Sequence, residues 1–528
     1  MTFYRLVYIL SIMGVGRISI NYNTSNYWYD PYSKKLSISQ EVADLIPSSL
    51  ARQYRLFPIK LENKQLFIAI EDPYNFVAID HIKRITGFKI ISCETPKDII
   101  NHHLDQLYGN EPIEKALEDF NNELHISEPQ SNWDNFSDES IISAPIVRLV
   151  DSLIEQASDQ RASDIHIEPM QNCVRVRFRI DGALETMTTL PLETHSPIIT
   201  RIKVLANMNI AEKRLPQDGR SEIKVSGRDI DIRISTISTI YGEKCVLRLL
   251  DRDYFLFPKE ALGFSGHNLE QFNKFLGLSH GIILVTGPTG SGKSTTLYTM
   301  INEINDEKDN IITIEDPVEC KIPGINQIQI NPKAGITISN SLRSVLRQDP
   351  DVIMLGEIRD DETAEMAIRA AITGHLVLST IHTHNAIGAI NRLLDMGIKD
   401  YLLADALVGV ISQRLIRKVC VNCRKPYIPN NDELKKLNIS LEDRMTWYLK
   451  TGCIKCNYTG YKGRTAIHEV LSINKGISRL ILEGATSDRL NKCAVDNGFI
   501  TLKQACIQAL NQGITTLEET IHLLHTFE

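Results

Sequence analysis

The sequence has no run long and apolar enough to span a bilayer. Its N-terminal stretch Leu6-Val-Tyr-Ile-Leu-Ser-Ile-Met-Gly-Val15 is ten residues, and a spanning helix needs about 20. Arg5 precedes this stretch as in a signal peptide, but no small-residue cleavage site follows. Residues 1–36 are expected to be a buried or interfacial segment, or to precede the true start. A surplus of positive charge is also missing. With 58 Lys and Arg against 65 Asp and Glu the net charge is −7, so the composition carries no global signal for nucleic acid. There is no internal repeat and no long low-complexity tract. Nor do the ten cysteines read as disulfides. Cys93, Cys173, Cys245, Cys320, Cys493 and Cys506 are scattered, as small core residues are in a reducing compartment.

What is present is an ordinary globular composition, 43% hydrophobic and 23% charged, in a 528-residue chain. That length suits three or four domains. Charge is unevenly placed. Residues 111–139 hold nine acids and one base, a segment charge of −8 in a chain of −7, which leaves the rest at +1. Such a stretch reads as a solvated linker. Before it, residues 37–110 alternate helix and strand signals without a motif for chemistry. After it, Ala144 to Gln160 reads as an amphipathic helix. Asp164–Glu168, Val174–Ile180, Ser221–Val225 and Asp229–Ser235 then alternate with period two, as half-buried strands do. Residues 140–255 are therefore a second α/β module. Residues 256–415 carry apolar strands fit for burial on both faces, and 416–465 and 466–528 follow as a cysteine-bearing and a helical subdomain.

Gly287-Pro-Thr-Gly-Ser-Gly-Lys293-Ser294-Thr295 fits G-x-x-x-x-G-K-[ST] between an apolar run ending at Thr286 and a helix-like stretch from Thr296. Strand, glycine-rich turn and helix is the context of a phosphate-binding loop. Gly287, Thr289, Gly290, Ser291 and Gly292 offer backbone N–H groups that the glycines let turn inward, Pro288 shapes the turn without one, and the helix N-terminus adds positive partial charge. Lys293 can reach the β and γ phosphates and Ser294 can hold Mg²⁺. Downstream, Asp351-Val-Ile-Met-Leu-Gly-Glu357 is an apolar strand ending in a carboxylate, suited to order the Mg²⁺ shell or the attacking water. Glu315, Asp316 and Glu319 close another strand and read either as metal or water positioners or as a solvated turn opened by Pro317. His375 and His382 flank a core strand and are either structural or γ-phosphate sensors. Cys420-Val-Asn-Cys423 and Cys453-Ile-Lys-Cys456 form two knuckles fit for a closed, structural Zn²⁺ site, with free thiols or a redox pair as the alternative.

These motifs, in this order, resemble the secretion ATPase superfamily, closest to the bacterial type II secretion ATPases with the type IV pilus extension ATPases as a sister group. Ala162-Ser-Asp-Ile-His-Ile-Glu-Pro169, Arg214-Leu-Pro-Gln-Asp-Gly-Arg220, Arg347 to Asp360, Gly374-His-Leu-Val-Leu-Ser-Thr380 and Thr459-Gly-Tyr-Lys-Gly-Arg464 carry the likeness, over roughly residues 37 to 525. The resemblance implies a multi-domain α/β P-loop NTPase with a RecA-like core, N-terminal α/β modules and a zinc-binding, mainly helical C-terminal part. It implies that Glu315 to Glu319 are an aspartate box, Glu357 the Walker B acid, and His375 with His382 a histidine box. By position it also implies that Arg233 and Arg248 are the arginines that the second module offers to the γ-phosphate as it closes. It further implies ATP, Mg²⁺ and Zn²⁺ as ligands and a cytoplasmic homohexamer that drives pseudopilus assembly and protein export. That ring would be peripheral at the inner membrane, held by a platform protein and by the cytoplasmic domain of a membrane-anchored assembly partner. Nucleic acid is not an expected partner. The sequence departs from the family pattern at His384, which intervenes between Thr383 and Asn385. No cyclic-dinucleotide motif is legible in the N-terminal module. Pilus extension is the alternative function. A nucleic-acid motor and a non-hydrolysing scaffold are the rivals from other classes.

Overall fold

A computed structural model of the chain describes residues 38, 40–43, 45–108, 113, 115–117, 119–120, 144–225, 227–251, 257–437, 439 and 446–525. Residues 1–36 lie outside the described residues. Contacts divide the chain into a unit up to Glu111 and a unit from Pro112 onward. Among the described residues no helix is long and apolar enough to cross a membrane.

The first unit contains α1 (Gln40–Ala43), α2 (Ser48–Gln53), β1 (Leu56–Glu62), β2 (Gln65–Ile70), α3 (Phe76–Thr86), β3 (Lys89–Glu94) and α4 (Lys97–Tyr108). Its sheet runs β1-β2-β3, with β1 antiparallel and β3 parallel to β2. Asn75 starts α3 by accepting from the Ala78 N–H at 3.1 Å, which satisfies one of the orphan donors of a helix start. Ile68, Ile70, Ala78, Ile82, Ile100 and Leu104 fill its core.

The second unit opens with helical residues between 113 and 120. Ile113, Ala116 and Phe120 recur at one-face spacing and are buried in the same core as the next helix. Within the acidic segment expected to be a solvated linker, Ile113, Ala116 and Phe120 are therefore packed in a core. The remainder of that segment, 121–139, lies outside the described residues. α5 (Ala144–Asp159) and α6 (His195–Leu205) then cover one face of an antiparallel sheet. That sheet holds β4 (Ala162–Pro169), β5 (Val174–Ile180), β6 (Ala183–Leu190), β7 (Gln217–Val225), β8 (Arg228–Thr239) and β9 (Gly242–Asp251). The order is β6-β5-β4-β9-β8-β7. In β5, Val174, Val176 and Phe178 point into the core while Arg175, Arg177 and Arg179 occupy the other face.

The rest builds a seven-stranded sheet of order β12-β11-β13-β14-β10-β15-β18. In chain order its parts are α7 (Gly266–Leu276), β10 (Gly281–Thr286), α8 (Lys293–Ile304), β11 (Ile311–Glu315), β12 (Asn326–Gln329), α9 (Ile338–Val345), β13 (Val352–Leu355), α10 (Asp361–Ile372) and β14 (Leu376–Ile381). Then come α11 (Ala386–Asp395), α12 (Asp400–Ala406) and β15 (Leu407–Val419). β16 (Lys425–Tyr427), α13 (Asn431–Leu437) and β17 (Trp447–Leu449) precede β18 (Tyr461–Ser472). α14 (Lys475–Leu482), α15 (Ser487–Asp496), α16 (Leu502–Asn511) and α17 (Leu517–Leu524) end the chain. β12 to β15 run parallel, and β18 is antiparallel at the edge. Ile282 and Leu284 face one buried layer, Ile283 and Val285 the other. A sheet covered on both faces needs such continuous apolar strands.

The boundary expected at 415/416 falls inside β15. β18, which ends the expected 416–465 subdomain and runs on to Ser472, pairs with β15 from Val419–Tyr461 to Gly409–Ser472. The cysteine-bearing segment is thus an insertion between two neighbouring strands of the main sheet.

Candidate nucleotide site and cysteine cluster

The glycine-rich loop joins the carboxyl end of β10 to α8. Gly287, Gly290 and Gly292 adopt φ of 147°, 77° and 89°, the region that side chains avoid. At Gly287 a Cβ would lie 2.5 Å from the Gln413 carbonyl oxygen and 2.6 Å from Ser291 Oγ. Pro288, Thr289, Gly290 and Ser294 are exposed, and Thr295 is half-buried. Lys293 begins α8 and donates from Nζ to the carbonyls of Gly287 and Pro288, each at 3.0 Å. Burial holds its pKa below the ordinary lysine value, with the Glu357 charge opposing. A loop with its N–H groups at a helix start and an ammonium folded over it is a cradle for an anion.

The carboxylates come from neighbouring parallel strands, whose carboxyl ends share the edge of the sheet where the loop sits. Open α/β sheets bind ligands at that edge. Glu315 ends β11 and is buried. It accepts hydrogen bonds from the Tyr298 hydroxyl, from Thr313 Oγ1 at 2.6 Å and from Gln327 Nε2 at 3.1 Å. Glu319 pairs with Arg233, while its N–H donates to the Tyr298 hydroxyl at 3.0 Å. Burial pushes the Glu319 carboxyl above the usual range, and Arg233 only partly offsets it. Glu357 follows β13, where Gly356 N–H donates to the Ile314 carbonyl at 2.8 Å and Thr380 Oγ1 to the Gly356 carbonyl at 2.7 Å. Its carboxylate is bonded to Arg359 and lies 3.4 Å from His382 Nε2. Burial alone would raise Glu357, but Arg359 and His382 outweigh it and hold the group below its ordinary value.

The two histidines of the expected box are not brought together. β14 pairs with β10 so that Leu376 lies opposite Gly281 and Ile381 opposite Thr286. His382 is at the loop end. His375 is at the far end, where its carbonyl accepts from Gly281 N–H at 3.1 Å and its Nδ1 contacts the Ala370 carbonyl at 2.9 Å. The six residues of β14 lie between them and separate them by roughly 20 Å. Within this chain His375 closes the end of α10 and does not line the site, a correction to its sequence assignment. The reason is that the strand between them is extended. Next to His384, Asn385 caps α11 by accepting from Gly388 N–H at 2.7 Å. Thr383 stays tied to Thr286, its N–H donating to Thr286 Oγ1 at 2.9 Å.

The arginines form a row across the antiparallel sheet. Arg220, Arg233 and Arg248 are cross-strand neighbours on β7, β8 and β9, and Asp164 and Arg179 continue the row on β4 and β5. Arg233 reaches across to Glu319 of the parallel-sheet region. Arg248 is held by Asp164, Nε to Oδ1 at 3.0 Å. Arg220 makes a fork with Asp231, at 2.7 and 2.5 Å. Sequence reasoning missed Tyr298, Arg359 and Gln413. Arg359 had a local signal, since it stands two residues after Glu357. Tyr298 and Gln413 had none, because their partners are 17 and 122 residues away.

The four cysteines converge, with every Sγ within 4.8 Å of the others. Sγ separations are 3.8 Å for Cys420–Cys453, 3.8 Å for Cys423–Cys456 and 3.7 Å for Cys453–Cys456. A disulfide would require about 2.05 Å. A tetrahedron with Zn–S near 2.3 Å has edges of about 3.8 Å, so the donor set fits such an ion. Cys453 and Gly460 donate N–H groups to Cys456 Sγ at 3.1 and 3.3 Å, as expected for a sulfur that carries negative charge.

Residues 139–522 match the family described as type II/IV secretion system protein, and residues 34–114 match the MshEN domain. The chain is 40% identical over 489 residues to type II secretion system protein E of Dickeya dadantii, covering 92% of this chain and 97% of that one. It is 42% identical over 484 residues to the type IV pilus assembly ATPase PilB of Thermus thermophilus, covering 90% of this chain but 54% of that protein. It thus spans about half of the Thermus protein. Among solved structures, the ATPase DotB of Yersinia pseudotuberculosis aligns with a TM-score of 0.54 over 76% of this chain and 100% of that one, at 21% identity. That is a likeness of fold.

Proposed function

The chain belongs to the type II/IV secretion system protein family, and on that footing we propose that it is an ATPase that powers protein export by a type II secretion system. The observation that carries this reading is the convergence of Lys293, Glu357 and His382 at one sheet edge, beside an arginine delivered by the other sheet. The phosphates of ATP lie on the backbone N–H groups of the loop 287–295, Pro288 excepted, with Lys293 on the β and γ phosphates. Ser294 holds Mg²⁺, which when bound neutralises phosphate charge. Glu357 is ionised and orients the attacking water, with His382 beside it. Arg233 leaves Glu319 for the γ-phosphate as the two sheets close, and Arg248 supports it from the same row. Glu315 is committed to three hydrogen bonds and positions the Tyr298–Glu319 corner. Cys420, Cys423, Cys453 and Cys456 hold a structural Zn²⁺ that closes the insertion between β15 and β18. The working form is a homohexamer on the cytoplasmic face of the inner membrane, tethered by a platform protein and a membrane-anchored partner.

Pilus extension is the second reading, favoured by the Thermus relative. The test is ATP turnover and export by wild type, Lys293→Ala and Glu357→Gln, each checked for one zinc per chain. Lys293→Ala should lose nucleotide binding, and Glu357→Gln should bind ATP but turn it over at least about a hundred-fold more slowly. Cys453→Ser should lose the zinc. Normal export by Lys293→Ala would sink the proposal.

A further inference from the structure

Beneath the phosphate loop lies a side chain that neither the motif nor the family reading assigns. Gln413 stands on β15 one residue past Ser412, which pairs with Thr286 at the end of β10. It is 1% exposed. Its Nε2 donates to the carbonyl of Ser291 at 2.7 Å, and its Oε1 accepts from Thr296 Oγ1 at 2.8 Å. Ser291 and Thr296 are buried as well, at 3% and 1% exposure. One amide therefore ties the middle of the loop to the first turn of α8.

We infer that Gln413 is the positioning residue that presets the phosphate loop for ATP. The argument is stereochemical. A trans peptide points its C=O and N–H to opposite sides. By binding the Ser291 carbonyl on the β15 side, Gln413 turns the Gly292 N–H toward the other side of the loop, where Pro288, Thr289, Gly290 and Ser294 are exposed. The amide is polarised by its two partners. Ser291 offers only an acceptor, so Nε2 must face it, and Oε1 is left for the Thr296 hydroxyl. A flipped amide would set two acceptors against each other. Space enforces the same register. A Cβ at Gly292 would come within 3.2 Å of Gln413 Nε2, and one at Gly287 within 2.5 Å of the Gln413 backbone carbonyl oxygen. Two of the motif's glycines are thus glycines partly because Gln413 packs against them. Preset N–H groups lower the ordering cost of binding.

This inference rests on the nucleotide reading of the same loop, and its test separates the two. Gln413→Met keeps the volume and removes both bonds. Gln413→Glu keeps the Thr296 bond and turns an acceptor toward the Ser291 carbonyl. Thr296→Val removes the other partner, and it carries the test if the Gln413 variants fail to fold. Melting temperature without nucleotide and zinc per chain establish folding. In Gln413→Met the KM for ATP and the Kd for ADP should rise about ten-fold, with kcat within about three-fold of wild type. In Gln413→Glu the rise should be about thirty-fold. Wild-type KM and Kd in a folded Gln413→Met would overturn the inference, as would an equal loss in kcat with KM unchanged. Wild type that binds no nucleotide would overturn the ATPase reading instead. Wild type that binds ADP without hydrolysing ATP still tests Gln413 through Kd.

Discussion

The antiparallel and the parallel sheet use charge in opposite ways. The antiparallel sheet lays it over a whole face, where Arg175, Arg177, Arg179, Arg220, Arg233, Lys244 and Arg248 interleave with Asp164, Glu168 and Asp231. The parallel strands β10, β11, β13 and β14 carry no charge before their carboxyl ends, and the charges gather at that edge, in Lys293, Glu315 and Glu357. Burial on both faces forces that difference, since a charge in mid-strand would be desolvated without a partner. A charged face can exchange partners by sliding or tilting. A charged edge is fixed by the strands behind it. The pairing of Arg233 with Glu319 joins the two, a movable cation on a fixed acid.

The sharpest way to break the contrast is Arg233→Ala. If the face supplies charge to the edge, its loss should cut turnover by about 10² to 10³ and leave nucleotide affinity within a few-fold. Arg248→Ala should cost about ten-fold, because Arg248 starts out bound to Asp164. Steady-state ATPase kinetics read both. Equal losses would mean that the row acts as a unit and not through Arg233. A smaller effect is expected inside the face itself. Glu168 accepts from Arg175 at 2.9 Å, Arg177 at 2.8 Å and Lys244 at 3.0 Å. Burial would raise its pKa, but these cations outweigh it and hold the carboxyl at about 2. Its contribution is therefore present above the unfolded value near 4.5 and lost as pH falls toward 2. Glu168→Gln should destabilise the chain by about 2 kcal/mol at neutral pH and narrow the gap to wild type in acid. A denaturation series from pH 7 to pH 3 checks both.

The same contrast decides what could be read without a structure. The loop from Gly287 to Thr295 was legible because its parts are adjacent in the chain. Glu357 was legible because a strand ending in an acid is also local. The histidine pair was half legible: the sequence already set His375 and His382 at the two ends of a strand, and that extended strand leaves only His382 at the loop end of the sheet. Tyr298 and Gln413 act through contacts 17 and 122 residues away, and no spacing announces them. The helix before the second module was hidden by acidic composition, although Ile113, Ala116 and Phe120 already had one-face spacing. The edge strand β18 was hidden because the cysteine insertion separates it from β15.

His468 gives the smallest and cleanest test of burial on both faces. It sits on β18 opposite Gln413 and is 2% exposed. Its ring stacks on Phe264 at 3.7 Å, and neither ring nitrogen has a hydrogen-bond partner among the described residues. Burial holds its pKa down at about 3. The sign follows from the two states. Above the unfolded value near 6.5 both are neutral and the group adds no pH dependence. Between that value and about 3 the unfolded chain takes up a proton that the folded chain refuses, so stability falls as the solution is acidified. At pH 5.5 the loss is about 1.4 kcal/mol. His468→Phe keeps the stacked ring and removes the titration. Its stability should fall less than that of wild type between pH 7.5 and 5.5 by about that amount. Parallel acid limbs in the two proteins would mean that the ring is protonated in the folded chain, and that this strand is not dry on both faces.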